Sequence, residues 1–145
     1  MVIVSDTTTI SNLFLIDKLW ILERLFGKIM IPKAVFLELE KLEVINISIE
    51  FIRKQTWIII AEVENRSIVE ILQLNLDNGE AEAIALAKEK NTSLLIIDEL
   101  KGRHYAKQLK INIIGLVGIL LQAKEEGIVN SVKDILEELK AKAGF

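Results

Sequence analysis

The stretch Ser93-Leu94-Leu95-Ile96-Ile97-Asp98 reads as a strand with an acid at its carboxyl end. Four consecutive apolar residues show no alternation, which predicts a strand buried on both faces, as in a parallel sheet covered by helices. Working outwards, Val2 to Val4 is a second short apolar run, and it too reaches an acid, Asp6, after Ser5. Similar runs at Lys28 to Ile31, Trp57 to Ile60 and Asn112 to Ile114 predict the remaining strands. Helical patterns fall between them. They cover Thr8 to Ile16, Lys18 to Phe26 with Asp17 as a cap, and Pro32 to about Leu42. Others run from about Ser48 to Lys54, Ser67 to Gln73, Glu80 to Lys90 after an Asn78-Gly79 turn, and Gly102 to Leu109. Gly115 to Glu126 and Ser131 to Lys142 close the series, Ser131 and Asp134 resembling a capping box. The only proline, Pro32, sits where a first helical turn tolerates it. Strand–helix alternation predicts an α/β chain: a three-layer α/β/α arrangement around a parallel sheet of four to five strands.

No Pro/Gly/Ser-rich linker or repeat divides the 145 residues, so one domain over 1–145 is expected. With 51% hydrophobic and 27% charged residues the composition is globular and excludes intrinsic disorder. Cysteine is absent, which excludes disulfides, thiolate zinc sites, iron–sulfur clusters and a cysteine nucleophile. One histidine, His104, excludes zinc sites built from several histidines. There is no G-x-S-x-G elbow, no G-x-G-x-x-G and no G-K-[ST] loop. The apolar stretch from Ile111 to Ala123 is interrupted and falls short of the ~20 residues of a spanning helix. MVIVSD lacks the basic start of a signal peptide. A soluble cytoplasmic protein without a membrane role is expected.

The acids carry the chemistry. In open α/β sheets ligands bind beyond the carboxyl ends of the strands, where strand order reverses. If the first strand and the 93–97 strand are neighbours there, Asp6 and Asp98 face each other; otherwise each simply caps the next helix. On the helix GEAEAIALAKEK, steps of 100° set Glu80 with Ala83, Ile84 and Ala87 on the stripe expected to meet the sheet, and send Glu82 to solvent. On PKAVFLELEKL, Glu38 borders the stripe of Val35, Leu39 and Leu42, and Glu40 points away. Four converging carboxylates repel unless a cation joins them. Mg²⁺ or Mn²⁺ suits an all-oxygen set and carries waters that attack phosphate. With these four acids set aside the chain is no longer net negative, so its formal charge of −3 does not argue against a nucleic acid. A haloacid-dehalogenase-type phosphatase would need D-x-D here, and Thr8 occupies the second position.

V-S-D-T-T at 4–8, P-x-x-V-x-x-E at 32–38, G-E-A-E-A-I-A-L-A at 79–87 and L-I-I-D-E at 95–99 together resemble the PIN-domain nucleases. The tail resembles a PIN-like subgroup near VapC-type toxins, through G-R-x-x-A at 102–106, G-x-x-G-I-L at 115–120 and A-K-x-x-G at 123–127. The resemblance implies a sheet ordered 3-2-1-4-5 and metal-dependent cleavage of RNA. It sets Asp6, Glu38, Glu80 and Asp98 on the family's acidic, metal-holding positions, and Glu99 where a further acid often stands. Ile96 replaces the hydroxyl residue that VapC-type toxins often carry two places before the fourth acid.

Around these acids, Thr7 is expected either to hold a metal-bound water or phosphate or to cap its helix. Lys101 and Arg103, nearest Asp98 in a basic cluster that continues to Lys110, are candidates for RNA phosphate. The resemblance further implies an antitoxin partner and a homodimer, and the apolar Leu13-Phe14-Leu15 and Trp20 region fits the latter. Two other functions stay open: a non-catalytic PIN-like module that binds RNA or protein, and a nuclease acting on DNA.

Overall fold

In the computed structural model, residues 1–42 and 49–144 are described. Five parallel strands, β1 (Ile3–Ser5), β2 (Ile29–Pro32), β3 (Ile58–Ala61), β4 (Leu94–Ile96) and β5 (Ile113–Ile114), form a sheet ordered β3-β2-β1-β4-β5. Helices α1 (Thr7–Leu15), α2 (Trp20–Phe26), α3 (Lys33–Lys41) and α4 (Ile49–Lys54) lie in the first half of the chain. Then come α5 (Arg66–Leu72), α6 (Asn78–Glu89), α7 (Leu100–Gln108), α8 (Leu116–Glu125) and α9 (Val132–Ala143). The strand order reverses at β1, which starts the chain yet occupies the middle of the sheet.

Alternation along the strands feeds two cores, one on each face. Ile3, Ile29, Ile31 and Ile96 point into the core shared with α1, α2, α3, α8 and α9. Val4, Leu95 and Ile97 point into the other, filled by α5, α6 and α7. This is the expected three-layer arrangement. Its order places β1 beside β4, with Ser5 opposite Ile96. Among the described residues no helix is long and apolar enough to cross a membrane.

Several local expectations shift for identifiable reasons. Pro32 ends β2 and stands just before α3 instead of inside its first turn. Asp17 does not cap α2; it takes φ 60°, the left-handed conformation that Asp tolerates in a turn. Asn78-Gly79 belongs to the first turn of α6, because Asp77 caps that helix by accepting the Glu80 N–H at 2.8 Å. α7 starts at Leu100, two residues before the expected Gly102. The expected start of α4 at Ser48 lies outside the described residues. Leu13 is fully buried and Phe14 packs on the core, so of the expected apolar surface patch Trp20 is the part that stays exposed.

The largest correction concerns Glu82, which is buried rather than solvent-facing. Every residue of α6 from Ala81 to Ala87 is buried, since α3, α5, α7 and the sheet surround it. The amphipathic-stripe argument needs a helix with one wet face, and α6 has none. Glu82 survives there because both oxygens are used. Oε1 accepts the Ala34 N–H at 3.0 Å and Oε2 takes the Arg66 guanidinium at 2.8 Å. Pro32 has no side chain to cap α3, so Glu82 of α6 performs that task. In return Glu38 of α3 accepts the Gly79 N–H in the first turn of α6, at 2.8 Å. The two antiparallel helices cap each other. Glu82→Ala is therefore expected to lower unfolding stability by about 1–3 kcal/mol in urea, because the Ala34 N–H loses its buried partner. Glu40→Ala, on the exposed side of α3, should stay within about 0.5 kcal/mol of wild type. Equal losses for the two would contradict the capping role.

Candidate active site

Both chain ends of the central strand pair turn into acids. Asp6 follows β1 directly, and its own N–H donates to the Ile96 carbonyl at 3.0 Å, extending the ladder by one step. Asp98 stands two residues beyond β4. The Asp98 N–H then donates to Asp6 Oδ2 at 3.3 Å, tying the two positions together across 92 residues of sequence. Asp6 Oδ1 accepts the Thr9 N–H at 3.3 Å and so caps α1. The Thr9 hydroxyl donates to Asp98 Oδ2 at 3.3 Å, and Asp98 Oδ1 accepts the Leu116 N–H at the start of α8, at 2.9 Å. Capping and convergence are thus not alternatives. Asp6 caps the next helix, whereas Asp98 caps α8 and leaves α7 to begin at Glu99 without a side-chain cap.

Four helices begin around this crevice, and glycines let three of them come close. A Cβ on Gly115, before α8, would stand 2.6 Å from Asp98 Oδ1. One on Gly102 of α7 would stand 2.6 Å from Ile97 Cδ1 and 3.0 Å from Glu80 Oε2. One on Gly79 of α6 would strike the Glu38 carboxylate, 2.6 Å from Oε2. The helices approach the acids because no side chain intervenes.

Burial shapes the electrostatics. Asp6 is 3% exposed, and desolvation pushes its carboxyl up from 3.8 to about 7. The N–H bonds from Thr9 and Asp98 oppose this, and the Asp98 charge adds to it. Glu80 is pushed from 4.5 to about 8, by burial first and then by the charges of Asp77, Glu99 and Asp6. Glu80 Oε2 is buried with no hydrogen-bond partner. Such an atom in a native fold marks either strain or a place for something bound.

The expected site residues are not equivalent in this arrangement. Asp6 and Asp98 are joined by a hydrogen bond at the crevice, and Glu80 lies near enough for the charge of Asp6 to act on it. Glu38 stands at the border of the crevice, with both oxygens engaged by the Thr7 hydroxyl (2.6 Å) and the Gly79 N–H. Thr7 therefore neither caps α1 nor presents a free hydroxyl; Asp6 is the cap and Glu38 takes the proton donor. Arg103 is half-buried beside Asp98, its Nη1 3.2 Å from the place of a Cβ on Gly115, and Lys101 is exposed on the same helix. Glu99 is exposed. Thr9, which orients Asp98, and Asp77, whose charge acts on Glu80, belong to no sequence motif. Their signal is positional: Thr9 lies three residues after Asp6 and Asp77 three before Glu80, each at a helix start.

Among the described residues no group of three acids is already gathered around one point that could hold a metal ion. The donor chemistry nevertheless fits a hard cation. Asp6, Glu80 and Asp98 offer only oxygens, one of them buried and unpartnered, and two of the three carboxyls resist ionisation without a positive charge nearby.

A family model described as a PIN domain matches residues 2–145. Among solved structures, the chain is similar to a PilT N-terminus domain protein from the hyperthermophilic archaeon Sulfolobus solfataricus P2. The TM-score is 0.58 at 21% sequence identity, covering 85% of this chain and 93% of that one. That likeness bears on the fold. No curated protein matches significantly.

Proposed function

The chain belongs to the PIN-domain family, a nuclease-type fold, and from that membership we propose that it is a Mg²⁺- or Mn²⁺-dependent ribonuclease hydrolysing RNA phosphodiester bonds. The observation that supports this most is the pairing of Asp6 with Asp98 at the switch point of the sheet, with the unpartnered oxygen of Glu80 beside them. Asp6, Glu80 and Asp98 would hold the metal. When bound, the cation lowers the pKa of a water and offsets the charge that develops on phosphate.

The protein's own groups divide the remaining work. Thr9 orients Asp98 through its hydroxyl, and the Leu116 N–H fixes the other oxygen. Glu80 keeps a proton to about pH 8 in the absence of cations and releases it when a positive charge arrives. Glu38 completes the acidic ring from its border and orients water, and it also accepts the Gly79 N–H in the first turn of α6, which carries Glu80. Arg103 and Lys101 bind RNA phosphate, Arg103 on the Asp98 side. The tail motifs support placing the enzyme with VapC-type toxins, working in the cytoplasm with an antitoxin protein and as a homodimer. The exposed Trp20, Ile71 and Leu74 offer apolar surface for such contacts.

The test is calorimetric titration with Mn²⁺ of wild type beside Asp98→Asn, circular dichroism confirming that both are folded. Binding in wild type that vanishes in the variant is the expected result, and it should accompany Mn²⁺-dependent cleavage of single-stranded RNA. The dispersed acids favour one competing reading, a non-catalytic RNA- or protein-binding module. That reading predicts RNA binding unchanged by EDTA and by Asp98→Asn, with no cleavage.

A further inference from the structure

α7 turns two sides of its first turns to different purposes. Gly102 and Arg103 face Glu80 and Asp98. Leu100, Lys101, His104 and Tyr105 instead line an open, shallow pocket of about 330 Å³ that Asn75 also borders. That volume lies at the small end of ligand sites, about 300–1,000 Å³. Leu100 is 82% exposed, an apolar side chain held in water at the rim. His104 is exposed and stands edge-on to Tyr105, their ring centroids 5.8 Å apart, so one imidazole face is unused. The Asn75 amide donates to the Tyr105 hydroxyl at 2.9 Å. Among the described residues, one N–H and the carbonyl of that amide have no further partner.

An aromatic face, an apolar wall, an amide and a cation three residues beyond Asp98 match the parts of an unpaired nucleotide. We propose that this pocket is a nucleobase subsite, receiving an unpaired base of the RNA strand that runs past α7 to the acids. The base stacks on His104 and Leu100, the free N–H and C=O of Asn75 meet its edge, and Lys101 pairs with the flanking phosphate. Every base has a π-face, so such stacking tolerates sequence, and the Asn75 amide adds preference by edge. This rests on the ribonuclease reading above, since the pocket and the acids lie on different sides of α7 and a polymer is what reaches both.

The experiment uses an eight-nucleotide single-stranded RNA carrying 2-aminopurine at each position in turn, with EDTA suspending hydrolysis. Wild type should quench the probe at one position and leave the others bright. His104→Ala, a substitution of an exposed side chain, should lose that quench and bind about tenfold more weakly. An RNA abasic at the same position should bind both proteins alike. Quench and affinity unchanged in His104→Ala and in Asn75→Ala overturn the subsite, as does a wild type that quenches no position selectively. If such a protein still cuts RNA with Mn²⁺, the subsite alone falls. If it neither binds nor cuts RNA, the ribonuclease reading falls with it.

Discussion

Asp6→Asn is expected to remove metal-dependent RNA cleavage, with kcat/KM lowered on the order of 10³-fold or more, and to leave the fold intact. The amide has the shape of the buried carboxyl, and the one N–H that loses its acceptor costs about 1–3 kcal/mol, less than the stability of a typical domain. What changes is the charge. A carboxylate accepts from both the Thr9 and the Asp98 N–H and carries the charge that draws a cation; an amide accepts through its one oxygen and carries no charge. The measurement is single-turnover cleavage of labelled RNA in Mn²⁺, beside the near- and far-ultraviolet dichroism of the variant. Cleavage at wild-type rate in a folded Asp6→Asn protein would falsify the assignment of Asp6 to the metal. Loss of the fold along with activity would instead identify it as structural.

The second large effect lies in stability against pH without metal. Burial holds the Asp6 proton up to about pH 7, whereas the unfolded chain releases it near 3.8. Between those values the folded protein binds a proton that the unfolded one does not, so stability falls as pH rises. The contribution is fully present below about pH 3.8 and lost as pH passes 7. For Asp6 the change is on the order of 4 kcal/mol across that window. Glu80 shifts in the same direction, but its carboxyl is partly exposed and solvent screens much of the effect. Urea midpoints from pH 4 to 8.5 in EDTA should therefore decline more steeply for wild type than for Asp6→Asn. The two proteins should be nearly equal at pH 4 and the variant the more stable at pH 8. Mn²⁺ should restore the wild type at pH 8 and do little for the variant. Parallel curves for the two proteins would mean that the buried charge costs nothing.

How far the sequence carries depends on whether a residue's surroundings are local. Asp6 and Asp98 are legible because each ends an apolar run, and a strand end in an α/β sheet is a defined place. The partnership of β1 with β4 came from family resemblance, since no periodicity says which strands are neighbours. Glu82 was misplaced because the angular argument presumes a wet face, and small alanines allow α6 to be enclosed on all sides. Thr7 and Thr9 exchange importance on a shift of one residue in the helix start, finer than hydrophobic patterns resolve. Glu38 was read correctly as bordering its stripe, but its work as a cap for α6 exists only when two distant helices lie antiparallel.

The bond between Asp98 and Asp6 has a bearing on timing. A ribosome adding about 5–20 residues each second reaches Asp98 some seconds after Asp6, about 5 to 20. Until β4 has emerged and inserted beside β1, half of the acidic pair does not exist, and the unfinished polypeptide holds a solitary buried-to-be aspartate. The pairing of acids on which the proposed chemistry depends is therefore a late event in synthesis, open to the chain only once about two thirds of its 145 residues have been made.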